Sequence, residues 1–211
     1  MERVLAHVRG GKVLKKYDFV DVMSSNERTG WQVKSTKENT PVTWKRAKIP
    51  NAGKLIKASH KSPIGRQKLG NAIIDFCNQH VINSLQKYDL TEIGYCRLII
   101  HDSGEVTYFE RRLCTRSHPR LFDPTEFEWK WSKQKKTKKK EQLPALHGYH
   151  KAIGQKWWAW HGKGENQLHF SGERNWWPHG GDNHAITFRL PDKDERIPFD
   201  KLKAVLSALE S

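Results

Sequence analysis

Apolar and polar residues alternate in two short stretches near the N-terminus. Residues 17–23 alternate as a half-buried strand does, residues 24–30 have the composition of a turn, and residues 31–35 alternate again. Two alternating stretches joined in this way predict a β-hairpin with its turn centred near Glu27. The register of that hairpin decides which side chains share a face, because successive side chains of a strand point to opposite sides.

The predicted hairpin brings three chemically different side chains together. Asp21 falls opposite Gln32 and Val33, and Lys34 shares a face with Gln32. One carboxylate, one amide oxygen and one ammonium group are therefore expected to converge.

Periodicity beyond this hairpin predicts helices and a second pair of strands. The clearest helix repeats apolar residues at helical spacing, and an Asp-Ser-Gly sequence marks a second hairpin turn. The predicted elements are a helix over 2–9, a loop over 35–49, a mobile connector over 50–65, a long helix over 66–87 and strands over 95–100 and 105–111. Together they predict an α/β (α+β) fold in which helices flank a mixed β-sheet.

The composition changes beyond residue 115. Seven lysines occur from Lys130 to Lys140, and such a block of like charges is expected to stay flexible. The last third is rich in Trp and His and predicts short strands and loops. The expected division is 1–115 for a core that contains the hairpin at 17–35, 116–142 for a flexible basic segment and 143–211 for strands, loops and a closing helix at 198–209, all within one compact domain.

The net charge of the chain indicates what kind of partner it binds. The 211 residues carry a formal net charge of +15, and the sequence pI is about 9.8. A phosphate backbone is the commonest reason for such an imbalance, so we expect the chain to bind nucleic acid.

Cysteine usage and hydropathy predict the state of the thiols and the cellular location. The chain has three cysteines, an odd number without C-x-x-C spacing, which argues against a disulfide framework and against a cysteine zinc site. Its histidines follow no trusted ligand spacing such as H-E-x-x-H. No apolar run reaches the length of a membrane span and no signal peptide is evident. These features predict buried reduced thiols, a cytoplasmic location and no membrane partner.

The hairpin trio suits a hard divalent cation. Mg²⁺ takes oxygen ligands, which Asp21, the Gln32 amide and the Val33 backbone carbonyl can supply, with Asp18 as a second carboxylate. Lys34 can orient or deprotonate a water and offset charge on a phosphate. The expected chemistry is phosphodiester hydrolysis with Mg²⁺, for which Mn²⁺ can substitute.

In this order, acid, turn and Gln-x-Lys, the segment resembles the PD-(D/E)xK superfamily of nucleases, with Gln32 in the acidic position. The resemblance covers about residues 1–115 as an order of elements and implies a restriction-endonuclease-like core. There are departures, because no proline precedes Asp18 or Asp21 and Gln32 brings no charge. Metal affinity then depends on Asp18, on Glu2 in the first helix or on the DNA phosphate itself.

The resemblance implies a type II restriction endonuclease. Such an enzyme would cut double-stranded DNA at a short palindromic site as a homodimer, beside a companion DNA methyltransferase. Three alternatives remain: a structure-specific repair or junction nuclease, a DNA-binding module with a decayed site, and an exposed hairpin whose charged residues are simply solvated.

Other residues are candidates for contacts with DNA. Cations and hydroxyls that follow the hairpin can bind phosphates, the lysine block can track a backbone, and a later polar cluster can reach base edges. The alternatives are a solvated loop, a solvated linker or a localisation signal. The candidates are Lys37, Thr40, Thr43, Lys45, Arg46, Lys48, Lys135, Lys136, Lys138, Asn166, Gln167, His169 and Arg174.

Overall fold

Two β-sheets organise the chain, one in each of two units. The computed structural model describes residues 1–14, 18–136, 141–162, 164–176, 185–192 and 194–209. Unit 1 comprises Met1–Thr40, Ile82–Pro119 and Trp177–Ser211, and unit 2 comprises Pro41–Val81 and Arg120–Trp176. This division differs from a sequential one at 115 and 142, because each unit pairs strands that are far apart in sequence.

The elements follow one another as a mixture of helices and strands. The helices are α1 (Glu2–Val8), α2 (Ala52–Lys61), α3 (Pro63–Lys87) and α4 (Phe199–Leu209), with short 3-10 turns at Pro124–Glu126 and Glu173–Asn175. The strands are β1 (Lys12–Val13), β2 (Val22–Ser24), β3 (Thr29–Lys37), β4 (Val42–Arg46), β5 (Glu92–Ile100), β6 (Glu105–Thr115), β7 (Phe127–Trp131), β8 (Lys135–Lys136), β9 (Glu141–Gln142), β10 (Leu146–His150), β11 (Lys156–Trp160), β12 (Gln167–Phe170) and β13 (Ala185–Arg189).

Unit 1 contains a six-stranded mixed sheet of order β1-β2-β3-β5-β6-β13. The pair β3 and β5 is parallel and the other pairs are antiparallel. A parallel pair requires a crossover connection, and the chain from β3 to β5 passes through α2 and α3. The predicted mixed α/β fold, with two hairpins and a long helix between them, is confirmed.

Helix α1 packs on one face of this sheet. Its buried residues Leu5 and Ala6 form a cluster with Val22, Trp31 and Val33. Because side chains alternate along a strand, burying Trp31 and Val33 on this face turns Gln32 and Lys34 to the other face.

Unit 2 contains a five-stranded antiparallel sheet of order β4-β12-β11-β10-β7. One of its faces is buried by aromatic rings. The ring centroid of Trp158 lies 4.8 Å from that of Phe122 and 4.6 Å from that of Phe170. The ring centroid of Trp44 lies 5.1 Å from that of Phe170. The prediction that the Trp-rich run at 157–160 packs as a strand is confirmed by β11.

Helix α3 confirms the strongest helical pattern, although it begins three residues earlier than predicted, at Pro63. Proline is favoured at the first helical position, where its missing N–H would have no helical partner. Asn78 of this helix is buried. Its side-chain oxygen accepts from the backbone N–H groups of Leu121 and Phe122, and its amide donates to the Phe122 carbonyl.

Three expectations about irregular segments were wrong. The expected connector at 50–65 contains α2 and the start of α3, because Asn51 adopts a left-handed conformation that starts α2. The expected loop at 35–49 contains the end of β3 and all of β4, which lies at a sheet edge where Pro41 does not interrupt the ladder. The basic segment at 116–142 contains β7, which pairs with β10.

The remaining expectations concern the cysteines, the closing helix and membrane-spanning helices. Cys77, Cys96 and Cys114 are free and buried, as predicted, and burial raises the pKa of each to about 12. The closing helix predicted at 198–209 is present as α4, and its Val205 is exposed. Within the described ranges, no helix is both long and apolar enough to cross a membrane.

Candidate active site

The hairpin of β2 and β3 has the predicted register. Val22 pairs with Trp31, and the turn lies between Ser24 and Thr29. The backbone N–H of Asp21 donates to the Trp31 carbonyl over 2.8 Å, which extends the pairing by one residue. Asp21 therefore lies beside the Gln32 position, although strand β2 itself is shorter than the stretch predicted.

A hydrogen bond fixes the carboxylate of Asp21 across the hairpin. Its Oδ2 accepts from the backbone N–H of Val33 over 2.8 Å. An ionised acceptor makes a stronger bond than a neutral one, so the side chain is held in one orientation. The carboxylate is thereby tied to the strand that carries Gln32 and Lys34.

Lys34 lies in the electrostatic field of two carboxylates. It is half-buried, and burial lowers its pKa because the charged ammonium loses water, while Asp21 and Glu2 act in the opposite direction. Glu2 stands in the first turn of α1. Asp21 and Glu2 therefore both act electrostatically on Lys34, and Asp21 contributes more. Glu2 acts from α1, which packs on the opposite face of the sheet from Gln32 and Lys34.

Gln32 is 1% exposed, far more buried than its strand neighbour Lys34. It pairs in register with Tyr95 of β5, while Lys34 pairs with Arg97. Strand β3 is internal to the sheet at this point, with β2 on one side and β5 on the other. This internal position buries the Gln32 amide, which lies two residues before Lys34 on the same strand.

Asp18 has a different environment. Its carboxylate accepts from the Lys87 ammonium over 2.6 Å and from the Tyr88 hydroxyl. Both donors lie at the C-terminal end of α3 and just beyond it. Of the two candidate aspartates, Asp21 is therefore the one placed with Lys34, and Asp18 forms an ion pair at the end of α3.

A polar network positions α1 over the sheet. The Glu110 carboxylate accepts from Arg9 over 3.0 and 2.9 Å, from the Trp31 indole N–H over 2.9 Å and from the Tyr108 hydroxyl over 2.9 Å. Arg9 follows α1 directly, so the network ties the helix that carries Glu2 to β3 and β6. Sequence reasoning missed it, because its members are distant in the chain.

Arg97 is a second feature that sequence reasoning missed. It is 8% exposed and donates to the Thr36 hydroxyl over 3.2 and 2.8 Å and to the Thr40 carbonyl over 3.0 Å. Burial lowers the pKa of its guanidinium. It holds the end of β3 in place, one strand away from Lys34. The only sequence signal was an arginine inside an apolar run.

Two groups of DNA-contact candidates are neighbours in unit 2. Strand β12 pairs with β4 so that Gln167 lies opposite Arg46 and His169 opposite Thr43. The His169 ring lies 3.2 Å from the Gln167 side-chain oxygen. Burial lowers the pKa of His169, which favours the neutral imidazole. These polar side chains, over 100 positions apart in sequence, share one strand pair.

The remaining candidates are dispersed. Lys37 and Thr40 lie at and after the end of β3 in unit 1, and Lys45 lies opposite Leu168 in unit 2. The others in unit 2 are Lys48, exposed after β4, Asn166, whose carbonyl accepts from Ala47, Arg174, exposed in a 3-10 turn, and Lys135 and Lys136, which form β8. Lys138 lies outside the described residues.

The donor set fits a hard cation held only partly by protein. Across the described ranges, no three His, Cys, Asp or Glu residues are grouped to hold a metal. The site offers the Asp21 carboxylate, the Gln32 amide oxygen and a backbone carbonyl, all of them oxygen donors. Mg²⁺ commonly takes one or two carboxylates and completes its shell with water and substrate phosphate. These residues suit that mode and not a cage made of protein alone.

Comparison with protein-family models, with curated proteins and with solved structures yields no match for this chain.

Proposed function

We propose that this chain is a Mg²⁺-dependent type II restriction endonuclease that hydrolyses phosphodiester bonds of double-stranded DNA. The observation that carries the proposal is the bond from the Val33 N–H to the Asp21 carboxylate. It holds an acid next to Gln32 and Lys34, in the order acid, turn, Gln-x-Lys. Glu2 acts on Lys34 electrostatically and would favour its charged form.

Each residue has a distinct part in the proposed reaction. Asp21, the Gln32 amide and the Val33 carbonyl would hold the metal, which when bound polarises the scissile phosphate and acidifies water. Lys34 would orient the attacking water and accept its proton, since a lowered pKa leaves more of the amine uncharged. Its protonated form would then offset charge on the phosphate.

The order of elements along the chain is consistent with the same proposal. A first helix, a hairpin that carries the acid and lysine, and a helix that returns to add a parallel strand are the order of elements that the resemblance implies. The formal charge of +15 supports a polyanionic substrate. A homodimer acting on a palindromic site, a companion methyltransferase and a cytoplasmic location belong to the proposal as further expectations.

A second candidate is a DNA-binding module without catalysis. It is favoured by the neutral Gln32 in the acidic position and by the lack of a three-residue metal group in the described ranges. The two candidates differ in one observable, which is cutting in the presence of Mg²⁺.

Plasmid cleavage with Mg²⁺ distinguishes them. We expect discrete fragments from the wild type and a rate about 10²–10⁴-fold lower for Lys34→Ala and for Asp21→Asn, because each removes a group acting directly on the reaction. Asp18→Asn is the matched control and is expected to retain most activity, since Asp18 pairs with Lys87. Binding of DNA without cutting by the wild type would contradict the proposal and favour the second candidate.

A further inference from the structure

Helix α2 presents a row of lysines to solvent. Lys54, Lys57 and Lys61 are exposed and are spaced three and four residues apart, which places them on one side of the helix. Ser59 is fully buried and Ile56 is half-buried, so the opposite side faces the protein. The helix is therefore amphipathic, with a polar face made of cations. We call Lys54, Lys57 and Lys61 the α2 lysine face.

The surrounding sequence contains no acid that could neutralise this face locally. Glu38 and Asp75 bound a stretch that has eight lysines and arginines and no aspartate or glutamate. The eight are Lys45, Arg46, Lys48, Lys54, Lys57, Lys61, Arg66 and Lys68. A solvated helix face typically mixes charges of both signs, which this one does not.

The ion pairs among the described residues do not involve the lysines of this face. Like charges three or four positions apart destabilise a helix. Stability therefore does not account for the face, whereas a polyanion would neutralise it.

We propose that the α2 lysine face binds the phosphate backbone of duplex DNA independently of sequence. The three ammonium groups extend over about 10 Å of helix axis, a length along which a duplex carries about six charges. Lysine suits this contact because its compact charge gives affinity without reading bases. The inference goes beyond the proposed function, because such binding requires neither metal nor cleavage.

The test measures binding without cutting. Fluorescence anisotropy with a short labelled duplex in EDTA gives the association constant over about 50–200 mM salt. For the combined substitutions Lys54→Gln, Lys57→Gln and Lys61→Gln we expect the slope of log affinity against log salt to become less steep by about 3, since each phosphate contact contributes about 0.9. Affinity at about 0.1 M salt should fall on the order of 10²-fold.

A matched control removes the same charge elsewhere. Lys12→Gln, Lys201→Gln and Lys203→Gln change three exposed lysines of unit 1, and the salt slope should remain within about one unit of the wild-type value. An unchanged slope in the α2 triple variant, or an equal loss in the control, would overturn the proposal. So would loss of binding to anionic phospholipid vesicles with DNA binding intact, which would assign the face to a membrane surface. Circular dichroism establishes that both triple variants are folded.

Discussion

The two units of this chain differ strongly in net charge. Unit 1 has 18 lysines and arginines against 16 acidic residues, a formal charge of +2, whereas unit 2 has 20 against 7, a formal charge of +13. In unit 1, Arg28 and Arg116 both pair with Asp89, and Arg112 pairs with Glu92. The excess positive charge of the chain therefore belongs almost entirely to unit 2, whereas the charges of unit 1 nearly balance.

The two units also differ in what fills their interiors. Seven of the nine tryptophans belong to unit 2, where rings pack edge to face around Trp44 and Trp158. The cluster beneath α1 in unit 1 has one buried aromatic residue, Trp31, among aliphatic residues and Cys96, with Tyr108 packed against it. A polar network around Glu110 borders this cluster. Aromatic burial stabilises a unit without using its surface. Unit 2 can therefore tolerate a repulsive surface.

The strongest test of this contrast is removal of an aromatic ring from unit 2. Trp158→Ala is expected to lower the free energy of unfolding by about 3–5 kcal/mol, because it leaves a cavity that the neighbouring rings cannot fill. Urea unfolding followed by circular dichroism measures the loss. Trp131→Ala, at a half-buried ring of the same sheet, should cost less than half as much. Equal costs would show that the aromatic core is not what stabilises unit 2.

The polar network of unit 1 gives the next largest effect. Glu110→Gln keeps the shape of the side chain but removes the charge that Arg9, Trp31 and Tyr108 donate to. We expect a loss of about 1.5–3 kcal/mol in urea unfolding, the usual value for hydrogen bonds to a charged group. Glu105→Gln on the same strand is exposed and should change stability by less than about 0.5 kcal/mol. A loss at Glu110 as small as at Glu105 would contradict a stabilising network.

The pH dependence of cleavage tests the proposed role of Lys34 and the electrostatic effect of Glu2 on its pKa. Burial lowers the pKa of Lys34 below the ordinary 10.5, so the cleavage rate should rise with pH and level off below that value. Glu2 opposes the shift, so Glu2→Gln should lower the pKa further and move the midpoint of the profile to lower pH. Single-turnover rates over a pH series give the midpoint, below which the rate changes about tenfold per pH unit.

The control for this profile is Glu27→Gln, which removes the same charge from the hairpin turn. Its midpoint should match that of the wild type. A Glu2→Gln midpoint that stays in place, or one that rises, would show that Glu2 has no stabilising electrostatic effect on the Lys34 ammonium.

The smallest effect concerns the α2 lysine face. Lys57→Glu replaces a repulsion with an attraction to Lys61 four positions on, and should raise the free energy of unfolding by about 0.2–0.5 kcal/mol. The urea midpoint measures this gain. Lys12→Glu, on a strand of the charge-balanced unit 1, lacks that neighbour and should give none. A loss of stability at Lys57 would mean that its positive charge supports the fold.

Local pattern was sufficient for the elements that position the candidate site. The hairpin, its register and helix α3 follow from periodicities of two and 3.6 residues, which the chain expresses without reference to distant residues. Asp21, Gln32 and Lys34 were selected on that basis, and the structure places Asp21 and Lys34 together. The predictions that were wrong concerned segments that contain Gly or Pro. These residues mark turns but also occur at helix starts and sheet edges.

The sequence by itself determined the mixed α/β class, the catalytic candidates and the large net positive charge, because composition and short-range alternation encode them. Tertiary structure alone decided which of two aspartates joins Lys34, how Glu110 anchors α1, and that β4 lies beside β12. It also divided the charge between two units by bringing segments together across long stretches of chain. Pairings of that kind depend on the packing of whole faces, which no local pattern specifies.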